Sequence, residues 1–567
     1  MTADRRVAYF SMEIGLEDEM PTYSGGLGVL AGDTLRAAAD LGAPIVAVSL
    51  LYRQGYFHQH LSPDGAQTES IAEWEPARFL EQTDVVVRVQ LEGRFVAIGA
   101  WLYRVRGING DEVPVYMLDT DLPENDYHDR RLTDRLYGGD QRYRLRQEAL
   151  LGLGGLALLR ALGCWDIETF HLNEGHSGLL TLGLLGEVTG GDLEAATEAD
   201  FAAVRSKVVF TTHTPVPAGH DRFPFSLVRE VLGRAFANAI ERLPCWDGNV
   251  LNMTQLSMFF ARYINGVAQM HGRVIKDMYP GYETHSITNG VHSRMWASEP
   301  LAALFDSEVP GWRADSDFLR RILTVDVDKI LGAHAEAKAR LLDAVEQRRG
   351  VRLDPHVFTI GFARRAATYK RADLVFSDVE ALLDVTRRAG PLQFIYAGKA
   401  HPDDAGAKAL IQRVFSMSER LGDELPVVYL EDHNMALGRL LCSGVDLWLN
   451  NPEKPMEASG TSGMKAALNG VPSLSVLDGW WPEGWMEGVT GWSIGDGSDF
   501  EGGSSEEAVS LYSKLRSLIL PMYYESRQSW GRVMRAAIAI NGPYFSTQRM
   551  LHQYMSNAYR LPQRTGH

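Results

Sequence analysis

Runs of apolar residues that end in polar ones recur along the chain. The first series is VAYFSMEI from Val7, PIVAVSLLY from Pro44, TFHLN from Thr169 and KVVFTTHT from Lys207. The second is FTIGFARR from Phe358, LQFIYAGKA from Leu392, PVVYLED from Pro426, VDLWLNN from Val445 and PSLSVLDG from Pro472. Continuous apolar strands separated by helical patterns are typical of buried parallel sheets. The sequence therefore predicts an α/β fold with two Rossmann-like, doubly wound domains.

The two series of strands predict a division into residues 1–289 and 290–567. Before this boundary, NMTQLSMFFARYINGVAQMHGRVIKDMY from Asn252 has apolar residues at helical spacing. From about Leu518 the pattern is again helical, and we expect the last helix to pack back on the first domain. In open parallel sheets, ligands bind beyond the carboxyl ends of the strands, so we expect a cleft between the domains.

Composition narrows the classes of function. The 567 residues are 45% hydrophobic and 23% charged, as in soluble globular proteins. A net charge of −16 argues against a nucleic-acid-binding surface. The sequence has no apolar run long enough to cross a bilayer and no signal-peptide pattern. Its three cysteines are far apart and suit a reducing compartment, so we expect a cytoplasmic protein without a membrane partner.

The segment EASGTSGMKAALNG, from Glu457, combines glycines with the start of a helix. Backbone amides at Gly460, Ser462 and Gly463, together with the helix dipole, can bind a phosphate group. The pattern is not a P-loop, because Met464 precedes Lys465 and no Ser or Thr follows it. A lysine beside a phosphate site can form a Schiff base with an aldehyde cofactor. The alternative is a glycine-rich turn with an exposed helix lysine.

The segment ARRAATYKR, just past the strand FTIGF, carries a cluster of cations: Arg364, Arg365, Lys370 and Arg371. At the carboxyl end of a parallel strand such a cluster can hold dianions by charge and by guanidinium forks. The alternative is a solvated basic turn.

Two glycine-rich segments have different interpretations. PTYSGGLGVLAGD places Gly25, Gly26 and Gly28 in a turn before a helix, where backbone amides are free to bind an anion. GLGGLA from Gly152 lies inside an apolar helical pattern with no strand before it, so we interpret its glycines as packing residues.

Polar turns with histidines follow two strands of the first series, HLNEGHS from His171 and TTHTPVPAGH from Thr211. The spacing of His171, Glu174 and His176 matches no zinc signature, so we expect no metal site.

Together these motifs resemble the pyridoxal phosphate (PLP)-dependent α-glucan phosphorylases of glycogen, starch and maltodextrin, and most of all their shorter bacterial branch. The resemblance is carried by VAYFSMEI, PTYSGGLGVLAGDTL, LYRQGYF, HLNEGH, THTPVPAGHDRF, LNMTQLSMFFARYINGVAQMH, ITNGVHSRMW, YKR and EASGTSGMKAALNG. It implies the GT-B glycosyltransferase architecture. It also implies reversible, retaining transfer of a terminal glucosyl unit from an α-1,4-glucan or maltooligosaccharide to inorganic phosphate, giving glucose 1-phosphate.

The resemblance also implies roles for single residues. The cofactor would be PLP, bound as a Schiff base to Lys465, with Thr461 and Gly463 near its phosphate, Trp296 near its ring, and Arg364 where the family has a Lys. Substrate phosphate would meet Arg365, Lys370 and the amide of Gly26. The reacting glucose and its surroundings would involve Leu27, His213, Asn289, Tyr369, Glu457, Ser459 and Gly460. Lys465, Arg365, Lys370 and His213 are the catalytic candidates.

The implied mechanism uses the cofactor phosphate to exchange a proton with inorganic phosphate, so it needs no flanking carboxylate pair. The sequence departs from the best-known members at Ala367 and Thr368, and at His433 and Asn434, where those members have Tyr and Arg close to the cofactor. Because related enzymes are commonly dimers, we expect a homodimer. The sequence starts directly at the first strand, without the long amino-terminal extension that carries phosphorylation and nucleotide control in animal enzymes, so we expect no regulation of that type.

Other functions compete with this interpretation. A sugar-nucleotide-dependent retaining glucosyltransferase shares the architecture but has no use for a Schiff-base lysine. Two further alternatives are a phosphorylase homologue with an unusual acceptor and a non-catalytic glucan-binding protein, and both would keep the architecture of the family. For the acceptor we hypothesise that LYRQGYFHQH from Leu51 and the pair Trp480 and Trp481 stack on sugar rings, with core packing as the alternative.

Overall fold

The computed structural model describes residues 5–215, 219–495 and 503–561. These residues form two compact units. The first takes in described residues within 1–57, 71–288 and 550–567, and the second those within 58–70 and 289–549. Two short segments are thus grouped with the unit that is distant from them in sequence.

The first unit is built on a mainly parallel sheet, in which every residue of the central strand Val7–Ser11 is buried. In spatial order its strands are His285–Ser286, Tyr263–Gly266, Val208–Thr211, Thr169–Asn173, Val7–Ser11, Ile45–Leu50, Glu112–Asp119, Arg94–Arg106 and Glu81–Gln82, with Val87–Leu91 also paired to Arg94–Arg106. The pairing is parallel as far as Glu112–Asp119 and antiparallel beyond it. Arg222–Pro224, Val250–Asn252 and Trp246–Asp247 form a small antiparallel sheet.

Helices and apolar side chains cover both faces of this sheet. The α-helices are Gly26–Asp40, Tyr127–Arg130, Gln141–Ala149, Gly155–Ala161, Leu180–Val188, Glu198–Arg205, Phe225–Leu232, Arg234–Glu241, Met253–Phe259 and Gln269–Met278. At the carboxyl end, the helix Thr547–Gln553 continues into a π-helical turn over Tyr554–Ala558. Tyr554 and Tyr559 pack in the core beside Tyr9, and the Tyr559 hydroxyl lies 2.6 Å from His171 Nδ1.

The second unit has a wholly parallel sheet, ordered Val427–Leu430, Leu392–Ala397, Phe358–Ala363, Leu447–Asn450, Ser473–Val476 and Gly491–Ile494. Its α-helices are Ser293–Trp296, Glu299–Glu308, Val327–Arg349, Val379–Ala389, Ala405–Leu421, Met435–Gly444, Thr461–Leu468, Trp481–Gly484, Ser504–Lys514, Leu520–Glu525, Arg527–Ala536 and Gly542–Tyr544. The antiparallel hairpin His58–Leu61 and Gln67–Ser70 also belongs here.

Caps and one buried ion pair fix the helix Val327–Arg349. The Asp326 side chain accepts a hydrogen bond from the Asp328 amide at its start, and Gly350 ends it with φ 67°. Lys338 on this helix donates to Asp446 Oδ2 at 2.6 Å, beside the start of strand Leu447–Asn450. The helix is thereby tied to the sheet as well as packed on it.

The predicted α/β class with parallel sheets is confirmed, and all nine quoted strand segments contain a strand. The helical prediction for the stretch from Asn252 was wrong in its middle, where the strand Tyr263–Gly266 lies between two helices. The two helices beside this strand are short, so the apolar positions of helix, strand and helix together looked like the repeat of one long helix. None of the described helices is long and apolar enough to span a bilayer.

Candidate active site

Lys465 lies in the helix Thr461–Leu468, directly after the glycine-rich turn. Its side chain is buried, and Nζ lies 3.6 Å from the centroid of the Trp296 ring. Gly460 immediately precedes the helix and has no side chain to cap the first amides. The alternative of an exposed helix lysine is therefore wrong, and the helix start offers backbone amides next to a buried amine.

Asn469 connects Trp296 to the helix that bears Lys465. Its Nδ2 donates to the carbonyl oxygens of Trp296 and Lys465, both at 2.8 Å, and its Oδ1 accepts from the Ser298 amide at 2.8 Å. Because all three partners are backbone atoms, the indole is held beside the lysine by the fold itself.

Arg364, Lys370 and Glu457 form a buried ionic cluster in the second unit. Arg364 Nη2 donates to Glu457 Oε2 at 2.6 Å, and Lys370 Nζ donates to the same oxygen at 3.0 Å. Burial opposes the ionisation of Glu457, but the two cations outweigh burial and lower its pKa to about 2. Two cations and one carboxylate leave a net positive charge, which favours an anion nearby.

Strand ends and one glycine bring this cluster together. Arg364 follows the strand Phe358–Ala363 and bonds to the side-chain oxygen of Asn450, which ends the neighbouring strand Leu447–Asn450. Gly460 has φ 87°, a conformation that favours glycine, and a Cβ added there would lie 3.3 Å from Arg364 Nη2. The basic cluster thus lies at the carboxyl edge of the parallel sheet, as the sequence predicted.

The remaining two cations of ARRAATYKR behave differently. Arg365 is exposed but lines the same pocket as Arg364 and Lys370. Arg371 donates to the carbonyl oxygens of Asn451 and Pro452 at 2.9 and 2.7 Å. Arg371 therefore stabilises the turn, and the interpretation as a solvated basic turn fails for the buried pair Arg364 and Lys370.

Two of the candidate sugar contacts have free hydrogen-bonding capacity. Among the described residues, the Ser459 hydroxyl and the Asn289 side-chain oxygen are buried and have no hydrogen-bond partner. Tyr369 is half-buried, its carbonyl oxygen accepts from the Glu453 amide at 2.7 Å, and its ring lies 4.9 Å from Lys370 Nζ. Buried polar atoms in native proteins usually find a partner, so the first two point to a ligand or to water.

In the first unit, the glycines of PTYSGGLGVLAGD differ in how closely they are packed. A Cβ added to Gly25 or Gly26 would meet nothing within 4 Å, whereas one on Gly28 would lie 2.7 Å from Glu13 Oε2. Gly26 is exposed and begins the helix Gly26–Asp40, and Leu27 follows it half-buried. Glu13 Oε2 accepts from the amides of Ser24 and Gly25 at 2.6 and 3.3 Å. Glu13 therefore stabilises the turn through hydrogen bonds, while Gly26 faces open space.

His213 belongs to a polar network at the carboxyl ends of two neighbouring strands. Its Nε2 lies 2.6 Å from Asn173 Oδ1, and its amide donates to Glu174 Oε2 at 2.7 Å. Burial lowers the pKa of His213 to about 4, although Glu174 opposes this. The imidazole is therefore neutral at pH 7 and can exchange hydrogen bonds without carrying charge.

The histidines of HLNEGHS have protein partners. His171 lies between the hydroxyls of Tyr559 and Thr211, and His176 Nε2 lies 3.1 Å from Asp221 Oδ2. Glu174 accepts hydrogen bonds from His213 and from the Thr214 hydroxyl. Within the described ranges, no group of three or more His, Cys, Asp or Glu side chains is placed to hold a metal ion.

The hypothesis of aromatic stacking on sugar rings was wrong for four of its residues. Trp480 and Trp481 are 1% and 0% exposed, and Tyr52 and Phe57 are also buried. A Cβ added to Gly463 would lie 2.8 Å from Trp480 Cζ2, so the indole packs on the helix of Lys465. All four rings are core residues, and Gly463 is required for the packing of Trp480.

The interpretation of GLGGLA as packing is confirmed. A Cβ on Gly152 would lie 2.5 Å from the Leu180 amide nitrogen, and one on Gly155 would lie 2.6 Å from Phe10. Both glycines sit in a continuous helical stretch that crosses the sheet closely.

His433, one of the departures from the family pattern, lies near the Trp296 ring, since both approach Gly438. A Cβ on Gly438 would be 3.5 Å from His433 Nε2 and 3.8 Å from Trp296 Cζ3. Burial, Lys399 and Lys465 lower the pKa of His433 to about 4. A neutral imidazole thus lies near Lys465.

Sequence reasoning missed Glu13, Asn450 and Asp478. Asn450 bonds to Arg364, and Asp478 accepts from the Glu457 amide at 2.8 Å. Asn450 ends the strand Leu447–Asn450, and Asp478 comes two residues after Ser473–Val476. The rule that polar residues at the ends of parallel strands face the site, applied to every strand, would have found both.

Comparison with known proteins agrees with this geometry. Residues 237–483 match the carbohydrate phosphorylase family. The chain is 38% identical to maltodextrin phosphorylase of Thermococcus litoralis and to glycogen phosphorylase of Mycobacterium tuberculosis, over 98% of its own length and 70% of theirs. It is 32% identical to glycogen phosphorylase of Aquifex aeolicus, over 98% of this chain and 86% of the relative. With such matches over nearly its whole length, the chain belongs to the carbohydrate phosphorylase family of glycosyltransferases.

Proposed function

We propose that the protein is an α-1,4-glucan phosphorylase, which transfers a terminal glucosyl unit reversibly and with retention to inorganic phosphate. The observation that carries the proposal is the buried cluster of Arg364, Lys370 and Glu457 beside the helix of Lys465, in a chain of this family. The substrates are an α-glucan or maltooligosaccharide and phosphate, and the product is glucose 1-phosphate. By the same family analogy we propose a cytoplasmic homodimer.

The cofactor we propose is PLP, and the residues present suit it. Lys465 supplies a buried amine, Trp296 a flat apolar face beside it, and Thr461 an amide in the first turn of a helix. Arg364 supplies a cation at the edge of the same turn, since its Nη2 would lie 3.3 Å from a Cβ on Gly460. When bound, the cofactor supplies a phosphate group that can exchange a proton with inorganic phosphate.

In this reaction the basic side chains reduce the repulsion between two phosphate groups. Two phosphate groups that approach each other repel strongly, and the repulsion grows in a site that excludes water. Arg364 and Lys370 are buried, so their charge is poorly screened, and exposed Arg365 can reach an incoming anion from the same pocket. Removing one buried cation should therefore cost about 10²-fold or more in rate.

The neutral and acidic groups hold the sugar. Glu457 stays ionised at neutral pH, so it accepts hydrogen bonds from hydroxyl groups while it orients the two cations. The unpaired oxygens of Ser459 and Asn289 can bond to further hydroxyls. By the family resemblance we assign neutral His213 to the glucosyl unit, and the amide of Gly26, whose Cα borders open space, to substrate phosphate.

The sugar-nucleotide glucosyltransferase is the alternative that needs a separate test, because it would use the same basic cluster. The family match does not favour it. A buried lysine beside an indole is explained by a covalently held cofactor and has no role in transfer from a sugar nucleotide.

The donor specificity of chain extension tests the proposal. Purified protein is given maltotetraose with glucose 1-phosphate, UDP-glucose or ADP-glucose, and longer products are separated by chromatography. We expect extension only with glucose 1-phosphate, and we expect the cofactor absorbance of the wild type to be missing from Lys465→Ala. Lys514→Ala, which removes a lysine paired with Glu487 elsewhere in the unit, is the control. Extension from a sugar nucleotide alone would reject the proposal.

A further inference from the structure

Residues 478–480, which follow strand Ser473–Val476, pack closely against the turn formed by residues 457–460, called here the 457–460 turn. The Trp480 amide donates to the Ser459 carbonyl oxygen at 2.9 Å. Gly479 has φ 59°, and a Cβ there would lie 2.3 Å from the same oxygen and 3.0 Å from Glu457 Cγ. Only a glycine permits so close an approach, so the two segments form one packed unit.

The carboxylate of Asp478 joins the two packed segments by hydrogen bonds. Its Oδ2 accepts from the Glu457 amide and its Oδ1 from the Gly479 amide, both at 2.8 Å. The side chain is 0% exposed, so neither amide can exchange this bond for water without the segment moving. Each carboxylate oxygen therefore fixes one of the two packed segments.

A continuous chain of contacts leads from Asp478 to the cation cluster. The Glu457 amide is bonded to Asp478, and the Glu457 carboxylate is bonded to Arg364 and Lys370. We propose that Asp478 is a positioning residue, which holds the 457–460 turn so that Glu457 and Ser459 face the reacting glucosyl unit. Its effect on rate rests on the proposed function, whereas its hold on the turn does not.

The ionisation of Asp478 gives this hold a pH dependence. Burial raises its pKa to about 7, and the Glu457 carboxylate acts in the same direction, whereas the two amide bonds and Lys454 act against it. Once protonated, one oxygen becomes a hydroxyl and is a poor acceptor, so one amide loses its partner. The turn is therefore held fully only above about pH 7.

Asp478→Asn tests the proposal, since asparagine keeps the volume but offers one acceptor oxygen, as a protonated aspartate does. The turnover number for synthesis from glucose 1-phosphate is measured between pH 5.5 and 8.5 for the holoenzyme of both forms. Both forms meet the same substrate ionisation, so the ratio of wild type to variant reports on Asp478. We expect a ratio within about twofold at pH 5.5 that rises to about tenfold or more at pH 8.5.

Two controls separate positioning from general structure. Asp378→Asn alters an exposed aspartate that accepts the Ala381 amide at a remote helix start, and its ratio should stay near one at every pH. Asp478→Ala has no amide to oppose the two donors, so it gives the same rising ratio if the asparagine variant does not fold. A ratio that is flat with pH, or near one at pH 8.5, overturns the proposal.

Thermal unfolding over the same pH range gives a second readout that needs no activity. Because the folded protein keeps a proton on Asp478 that the unfolded chain has already lost, the wild type should lose stability relative to Asp478→Asn as pH rises from 5.5 to about 7, with little further change above that. An unfolding-temperature difference that does not change with pH overturns the proposal, whether or not the enzyme is active. A wild type that extends no maltooligosaccharide from glucose 1-phosphate but shows this shift would refute the proposed function instead.

Discussion

Replacing Glu457 with glutamine removes the negative charge that two buried cations share. The structure gives the size of the effect, because the pKa of Glu457 falls from 4.5 to about 2 on folding. A shift of this size corresponds to about 3 kcal/mol of stability, at about 1.4 kcal/mol per unit of pKa. Because the pKa is lowered, this contribution is complete above about pH 5 and is lost as pH falls toward 2.

We therefore expect Glu457→Gln to lower the free energy of unfolding by about 3 kcal/mol at pH 7 and by much less at pH 3. The assay is urea unfolding followed by tryptophan fluorescence, since Trp448, Trp480 and Trp492 are buried in the same unit. Glu308→Gln, which breaks a partly exposed pair with Lys329, is the matched control and should cost less than about 1 kcal/mol.

Added anion makes the test more specific. In Glu457→Gln the cations Arg364 and Lys370 lack their carboxylate partner, so phosphate should stabilise the variant more than the wild type. A loss below about 1 kcal/mol at pH 7, with the same effect of phosphate on both proteins, would refute the reasoning from the buried cluster.

Three further predictions follow from buried groups. Trp481→Ala should lower the free energy of unfolding by about 3–5 kcal/mol in urea titrations, while the KM of the folded protein for maltooligosaccharides stays unchanged, because the indole is 0% exposed. Asp446→Asn leaves the cation Lys338 buried without its anion and should cost about 3–5 kcal/mol; adding Lys338→Met should recover part of this in a double-mutant cycle. Since the pKa of His213 is about 4, His213→Asn should reduce turnover without changing the shape of the pH–rate profile between pH 5.5 and 8.

The sequence predicted the strands best, because runs such as FTIGFA and LQFIYA are buried on both faces and have no polar alternation to confuse them. It also predicted where the cations of ARRAATYKR would lie, since residues after parallel strands meet at one edge. It could not show that Arg364 and Lys370 share Glu457, because that contact joins residues about ninety positions apart.

Other features had no local signal. The pair Trp480 and Trp481 is equally compatible with a sugar-binding surface and with a core, and only their burial in the folded protein shows that they are core residues. The hairpin of residues 58–70 is grouped with the second unit because Gln59 and Gln67 bond to the backbone of Gly398 and Ala400. Two glutamines in a polar segment carry no pattern that predicts so distant a partner.

The central claim is tested most directly by incubating the purified protein with maltooligosaccharides and inorganic phosphate and measuring glucose 1-phosphate, with Lys465→Ala beside it. The account predicts that the wild type releases the α-anomer only when phosphate is present, and that Lys465→Ala, folded and soluble, releases none. Release of free glucose without phosphate, or full activity of Lys465→Ala, would contradict it.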